Sequence, residues 1–277
     1  MTKQPEPVLT VHLFPELLAG LLDLLSALPP EEWTKRVPRK TWTVKDVALH
    51  LLGGDVGILS RGRDEFTAST INARTREELV RALAALNDSW IGAGQRISPR
   101  LLCDLLRFTG DQATEYFESL DPYAPGEVVS WAGPLPAPNW LGVGREYTER
   151  WHHQQHVRAA LGRPGFDDVR FLKPALEIFV RALPETYRSV DVPDGTSVAV
   201  RISGGSGGRW LLVRERQRWV LYTGAADRPH ASVVIPQQTA WKLFTRWEPK
   251  EQALLASQID GDSVLARRVF DTTAVIA

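Results

Sequence analysis

The stretch REYTERWHHQQHVRAALGRPG, Arg145–Gly165, decides how this chain is read. It predicts a helix over roughly Trp140 to Leu161, with Asn139 before it, Gly162 at the C′ position and Pro164 preventing continuation. Three of the chain's six histidines fall here: His152, His153 and His156. A helix turns by about 100° per residue. Glu149, His153 and His156, at i, i+4 and i+7, therefore share one face, with Arg145 and Ala160 close to the same stripe. His152 lies further round and Gln154 points away. Glu149 and His153 are placed to bind one ion together. Two ligands rarely hold a catalytic metal, so a third is expected from elsewhere.

The best donor is His50, in TWTVKDVALHLLGGDVGIL, Thr41–Leu59. Val47, Leu51 and Leu52 surround it, so a helix here turns it at least partly toward a core, where a second helix can face it. A His–Glu–His set leaves an open coordination position, as catalytic zinc sites do. Blander readings stand beside this one. His50 also fits a hydrogen-bonded core histidine. HHQQH also fits a solvated helix face, and His152 with His156 makes an adventitious i, i+4 pair.

Outward from these helices the chain divides by composition. Its 277 residues suit two domains. Phe14, Leu17, Leu18, Leu21, Leu25 and Leu28 keep helical spacing until Pro29 and Pro30. Thr43 and Asp46 form a capping-box start, and Thr75 and Glu78 repeat that relation for a helix to Ile97. Ser98 and Pro99 open another, to about Leu120. Long helices with modest loops predict an antiparallel bundle. After Arg163 the character changes. FLKPALEIFVRAL is helical, then TSVAVRISG, GRWLLVRER, RWVLYTG and ASVVIP read as strands, with SGGSGG as a hairpin loop. QQTAWKLFTRW and DSVLARRVFDTTAVI read as helices. The expected fold class is α+β: a helical bundle over residues 1–165 and an α+β domain with an antiparallel sheet over residues 166–277.

Formal net charge is zero, with 43% hydrophobic and 24% charged residues. Nothing here predicts a nucleic-acid partner. No apolar run is long enough to span a bilayer, and MTKQPEPVLT lacks the features of a signal peptide. The single cysteine, Cys103, allows no intrachain disulfide. Together these predict a cytoplasmic protein.

WTVKDVALHLLGGD and EYTERWHHQQHVRAALGRPG resemble the two metal-binding helix motifs of the mycothiol-dependent maleylpyruvate isomerase-like family, within the DinB-like helical bundle superfamily. The segment from TSVAVRISG onward resembles the sterol-carrier-like domain often attached to that bundle. The resemblance implies a divalent metal, zinc foremost, held by His50, Glu149 and His153. These are the same three that helical geometry selects. Nickel, cobalt or iron suit the same donors. It also implies mycothiol as cosubstrate and a small-molecule substrate. Many relatives carry an acidic residue three positions after the metal histidine. Here it is His156, which can donate, accept or shuttle protons and is the expected catalytic residue.

The leading expectation is a metal-dependent enzyme that activates a low-molecular-weight thiol, for isomerisation of a small electrophile or S-transfer to it. Metal-assisted hydrolysis by a bound water, and a non-catalytic small-molecule or lipid-binding role, are the alternatives. Cys103, among leucines in RLLCDLL, reads as structural, so the sulfur must come from outside. Arg61, Arg63 and Arg145 are candidates to pair with a substrate carboxylate, although RGRDE also reads as an exposed helix end. Trp131 reads as lining the site's entrance or pinning its loop.

Overall fold

A computed structural model describes residues 3–39, 41–66, 73 and 75–275. They group into two compact units. The helical unit comprises Thr10–Asp121 and Glu149–Phe166. The sheet-bearing unit comprises Met1–Leu9, Pro122–Thr148 and Asp167–Ile276. The chain is thus mixed helix and sheet, as its patterning predicts.

In the helical unit, α1 (Phe14–Ser26) buries Phe14, Leu17, Leu21, Leu22 and Leu25, the apolar stripe of its sequence, and stops ahead of Pro29. α2 (Val44–Ile58) starts on a complete capping box: the Asp46 N–H donates to Thr43 Oγ1, and the Thr43 N–H donates to Asp46 Oδ2. α3 (Arg76–Gly94) is capped by Thr75, which accepts from the Glu78 N–H at 3.1 Å. It ends short of the expected Ile97, where Gly92 and Gly94 weaken the helix. α4 (Pro99–Ser119) opens on Ser98 with Pro99 in its first turn. α5 (Asn139–Ala160) closes on Gly162 at φ +64°. There the Gly162 N–H donates to Ala159 O and the Arg163 N–H to Arg158 O, the paired bonds of a Schellman end. The core of this unit gathers Leu21, Leu25, Trp33, Val44, Leu49, Leu102, Leu106 and Val157.

Two contacts fix α2 in this unit. The first is steric. A Cβ added at Gly53 would lie 2.8 Å from Cδ1 and Nε1 of Trp90 on α3. Glycine lets the indole reach the backbone of α2, where Trp90 Nε1 donates to Leu49 O at 2.7 Å. The second is electrostatic. Asp55, 3% exposed, accepts from Arg150 of α5 through one oxygen and from Thr109 Oγ1 of α4, at 3.0 Å, through the other. The Arg150 guanidinium also lies over the rings of Phe14 and Phe117, 5.3 and 5.8 Å from their centroids.

The sheet-bearing unit contains a hairpin of β1 (Pro125–Val128) and β2 (Pro136–Pro138). It continues through α6 (Val169–Phe179) and α7 (Leu183–Thr186). The main sheet follows: β3 (Ser197–Ser203), β4 (Gly208–Glu215), β5 (Arg218–Thr223), β6 (Ala231–Pro236) and, after α8 (Gln237–Phe244) and α9 (Lys250–Leu255), β7 (Gln258–Gly261). α10 (Ser263–Arg268) comes last. The strand order is β5-β4-β3-β6-β7. Three pairings are antiparallel, as expected, but β3 and β6 at the centre run parallel, which makes the sheet mixed. The reason is the connection after β5, residues 224–230. It carries the chain past β3 to the end of the sheet where β3 itself begins. Arg216 and Gln217, both at positive φ, make the tight β4–β5 turn. Among the described residues, no helix is long and apolar enough to cross a membrane.

Two predictions follow from these contacts of α2. Gly53→Ala gains about 1 kcal/mol of helix propensity. It loses more by displacing a hydrogen-bonded indole, since overpacking costs roughly 1–3 kcal/mol. It is expected to lower stability in urea unfolding, whereas Gly54→Ala, which meets nothing within 4 Å, is expected to raise it. Equal effects at the two positions would refute the Trp90 constraint. Arg150→Ala strips Asp55 of its charged partner inside the bundle and should cost about 3 kcal/mol in the same measurement.

Candidate metal centre

α5 turns one face into the helical unit, and the polar segment His152–His156 is buried entirely. Each of its three histidines is 3% exposed, Gln154 is 0% and Gln155 is 4% exposed. The solvated-face reading of HHQQH is therefore wrong. Burial is offset in large part by hydrogen bonds, with Gln155 Nε2 left without an acceptor among the described residues. Gln154 Nε2 donates to Leu17 O at 2.9 Å, while Gln154 Oε1 accepts from Arg158. Gln155 Oε1 accepts the Phe166 N–H at 2.8 Å, and Trp151 Nε1 donates to Phe166 O at 2.7 Å. These bonds pin both edges of the helix and fix the rotation that points the histidines inward.

The three residues expected to act together do meet. One donor atom each from His50, Glu149 and His153 lie within 4.8 Å of one another. Glu149 Oε2 is 3.1 Å from His153 Nε2. Two ligands at about 2.05 Å from a tetrahedral ion stand about 3.3 Å apart, so this pair has the spacing of neighbours on one ion. The His50 and His153 rings, on α2 and α5, are 4.6 Å apart between centroids. Two imidazole nitrogens and a carboxylate oxygen are a donor set that zinc and its first-row neighbours accept. The residues fit a divalent metal.

His153 has a second side. Its Nδ1 lies 3.4 Å from His156 Nδ1. One ring thus faces Glu149 through Nε2 and His156 through Nδ1. His152, which the helical wheel sets apart, is also part of the cluster. Its ring is 4.1 Å from that of His153, and its Nδ1 is 3.9 Å from Glu149 Oε2. Donor atoms of His152, His153 and His156 likewise lie within 4.8 Å of one another, so two overlapping sets share His153.

Sequence reasoning missed Trp42. The residue before the N-cap of α2, it lies 5.0 Å from the His50 ring and stacks on His153 at 6.1 Å and 26°. Its place just outside a helix marks it as a residue that packs back on that helix, but no local signal says that it lands on two imidazoles. The other expected residues fall elsewhere. Arg63 is exposed, pairs with Asp64 at 2.7 Å and bonds Gln112; Arg61 is exposed in the same π-helical turn. Arg145 pairs with Glu146 at 2.6 Å. Trp131 is buried in the sheet-bearing unit. Cys103 is buried in the core of the bundle, and burial pushes its thiol pKa up.

The fold has counterparts among known proteins. The family model for the mycothiol maleylpyruvate isomerase N-terminal domain matches residues 14–158, more than half of the chain. No curated protein matches it. Two solved structures share its fold: crystal structures of the mycothiol-dependent maleylpyruvate isomerase and of a histidine-to-alanine variant of it. They are 12% and 13% identical to this chain, with TM-scores of 0.52 and 0.53, and each comparison covers 85% of this chain and 88% of the other. With the matched region holding both α2 and the histidine-bearing face of α5, this chain belongs to the mycothiol maleylpyruvate isomerase family.

Proposed function

We propose that the chain is a metal-dependent enzyme that activates a low-molecular-weight thiol, mycothiol by kinship, for isomerisation of a small electrophile or S-transfer to it. The observation that carries this reading is the convergence of His50, Glu149 and His153 within 4.8 Å. His50, Glu149 and His153 would hold a divalent ion, zinc foremost, which would supply stabilisation of an incoming thiol as its thiolate, the nucleophilic form.

The rest is the work of the chain's own side chains. His153, giving Nε2 to the Glu149 side, keeps its proton on Nδ1 and aims it at His156 Nδ1. His156 then accepts through Nδ1 and holds its own proton on Nε2, the atom from which it serves as proton donor to a reacting substrate. Trp42, across both ligand rings, restricts how they turn and keeps water off their faces. In the isomerisation, the external thiolate sulfur adds to a carbon–carbon double bond. Rotation about the resulting single bond and elimination of the same thiolate leave the other isomer. No net proton or electron is consumed. Burial of Cys103 supports an external source of sulfur.

Metal analysis of protein purified without chelator is expected to find a divalent ion. His50→Ala should lose it and stay folded, while His152→Ala keeps it. The reverse result would move the ion to the three-histidine set, and absence of metal from the wild type, even after adding zinc, would end the proposal. After cobalt substitution, mycothiol should shift the visible bands; no shift with any cellular thiol would favour hydrolysis instead. Native protein should resist iodoacetamide at neutral pH, with Cys103 becoming alkylated only after denaturation.

A further inference from the structure

The sheet-bearing unit contains a cavity of about 460 Å³ beside β4 and β5. This lies within the range of small-molecule sites. Val129, Leu135, Leu141, Pro184 and Trp219 give it apolar walls, and Arg214 is the buried cation among its lining. Arg214 is 7% exposed. On β4 it follows Trp210 and Leu212 at alternate positions, and across the ladder it stands opposite Trp219, as Leu212 stands opposite Leu221. All five are buried, so the guanidinium projects from the covered face of the sheet, where an apolar residue would ordinarily sit.

Its hydrogen bonding is incomplete. Among the described residues, Arg214 Nε is buried and has no acceptor. Nη2 reaches Asp191 at only 3.4 Å, and that carboxylate is 99% exposed, a loose pair. The acidic residue of the lining, Glu185, is paired with Arg188 at 3.4 Å. A guanidinium does not shed its proton, so a side chain that lines the hollow keeps a charge and a buried, unmatched N–H. A donor in that position calls for an anionic acceptor with planar geometry, and the walls call for an apolar body attached to it.

We propose that this cavity binds a small molecule with an apolar body and a single carboxylate, which the Arg214 guanidinium holds. Of the three arginines in the lining, Arg188 and Arg218 are exposed and Arg188 pairs with Glu185, so Arg214 supplies the one buried positive charge, and a monocarboxylate suits it better than a phosphate dianion, which also lacks the apolar part. The proposal does not depend on the metal reading, since every lining residue belongs to the sheet-bearing unit.

Isothermal titration of the full chain with hexanoate tests it. Hexanoate is expected to bind at millimolar concentration or below, and hexanamide and inorganic phosphate at least ten-fold more weakly. Arg214→Met should weaken hexanoate binding roughly ten- to a hundred-fold, the usual cost of losing a charge-assisted hydrogen bond. Ala132→Phe, which puts a ring into the cavity from another lining position and leaves Arg214 in place, should also abolish binding, and it decides the matter if Arg214→Met does not fold. No binding of hexanoate to the wild type would overturn the proposal. So would hexanamide or phosphate binding equally well, or undiminished binding in both variants.

Discussion

A charged pair in the interior of the bundle holds the candidate centre in register. Asp55 on α2 and Arg150 on α5 are 95 residues apart in sequence, and both are largely shielded from water. Such a pair gains little over a well-packed apolar contact, yet breaking it is expensive. Its value here is positional. Arg150 follows Glu149 directly, and Asp55 lies five residues beyond His50. Locking one to the other sets the rotation and height of α5 against α2, and so where Glu149 and His153 stand relative to His50.

The buried polar segment works under the same constraint. A helical segment carrying Gln154, Gln155 and three histidines has every reason to seek water, and most of its hydrogen bonds find partners inside instead. Leu17 O and Arg158 take up the Gln154 amide and the Phe166 N–H takes up Gln155 Oε1, while Gln155 Nε2 is buried with no acceptor among the described residues. The two ring nitrogens of His153 then face Glu149 and His156. The geometry that suits a metal ligand is thus a by-product of satisfying the helix on both flanks.

Much of this was legible in the sequence because it is local. Helical period alone groups Glu149 with His153, and Thr43, Thr75, Ser98 and Gly162 mark helix ends by short-range hydrogen bonds that form as expected. What escaped depends on contacts between distant segments. A helical wheel treats each side chain as a spoke, so it sets His152 aside; the imidazole is long enough to lean back to its neighbour. Nothing around Asp55 announces Arg150, and nothing around Trp42 announces the rings beneath it. In the second half, alternation finds the strands but not their order, so the parallel β3–β6 pair was missed. GRWLLVRER is apolar at successive positions, and that hides which face Arg214 takes.

The position of Cys103 has a consequence for any chemistry with an external thiol. Disulfide exchange needs a thiolate that can reach a sulfur, and its rate follows the thiolate fraction. Cys103 is packed among the leucines of the bundle, with its proton held on by burial. A small thiol arriving at the histidine cluster therefore meets no competing sulfur from the protein. It cannot be drawn off into a mixed disulfide with the chain that uses it.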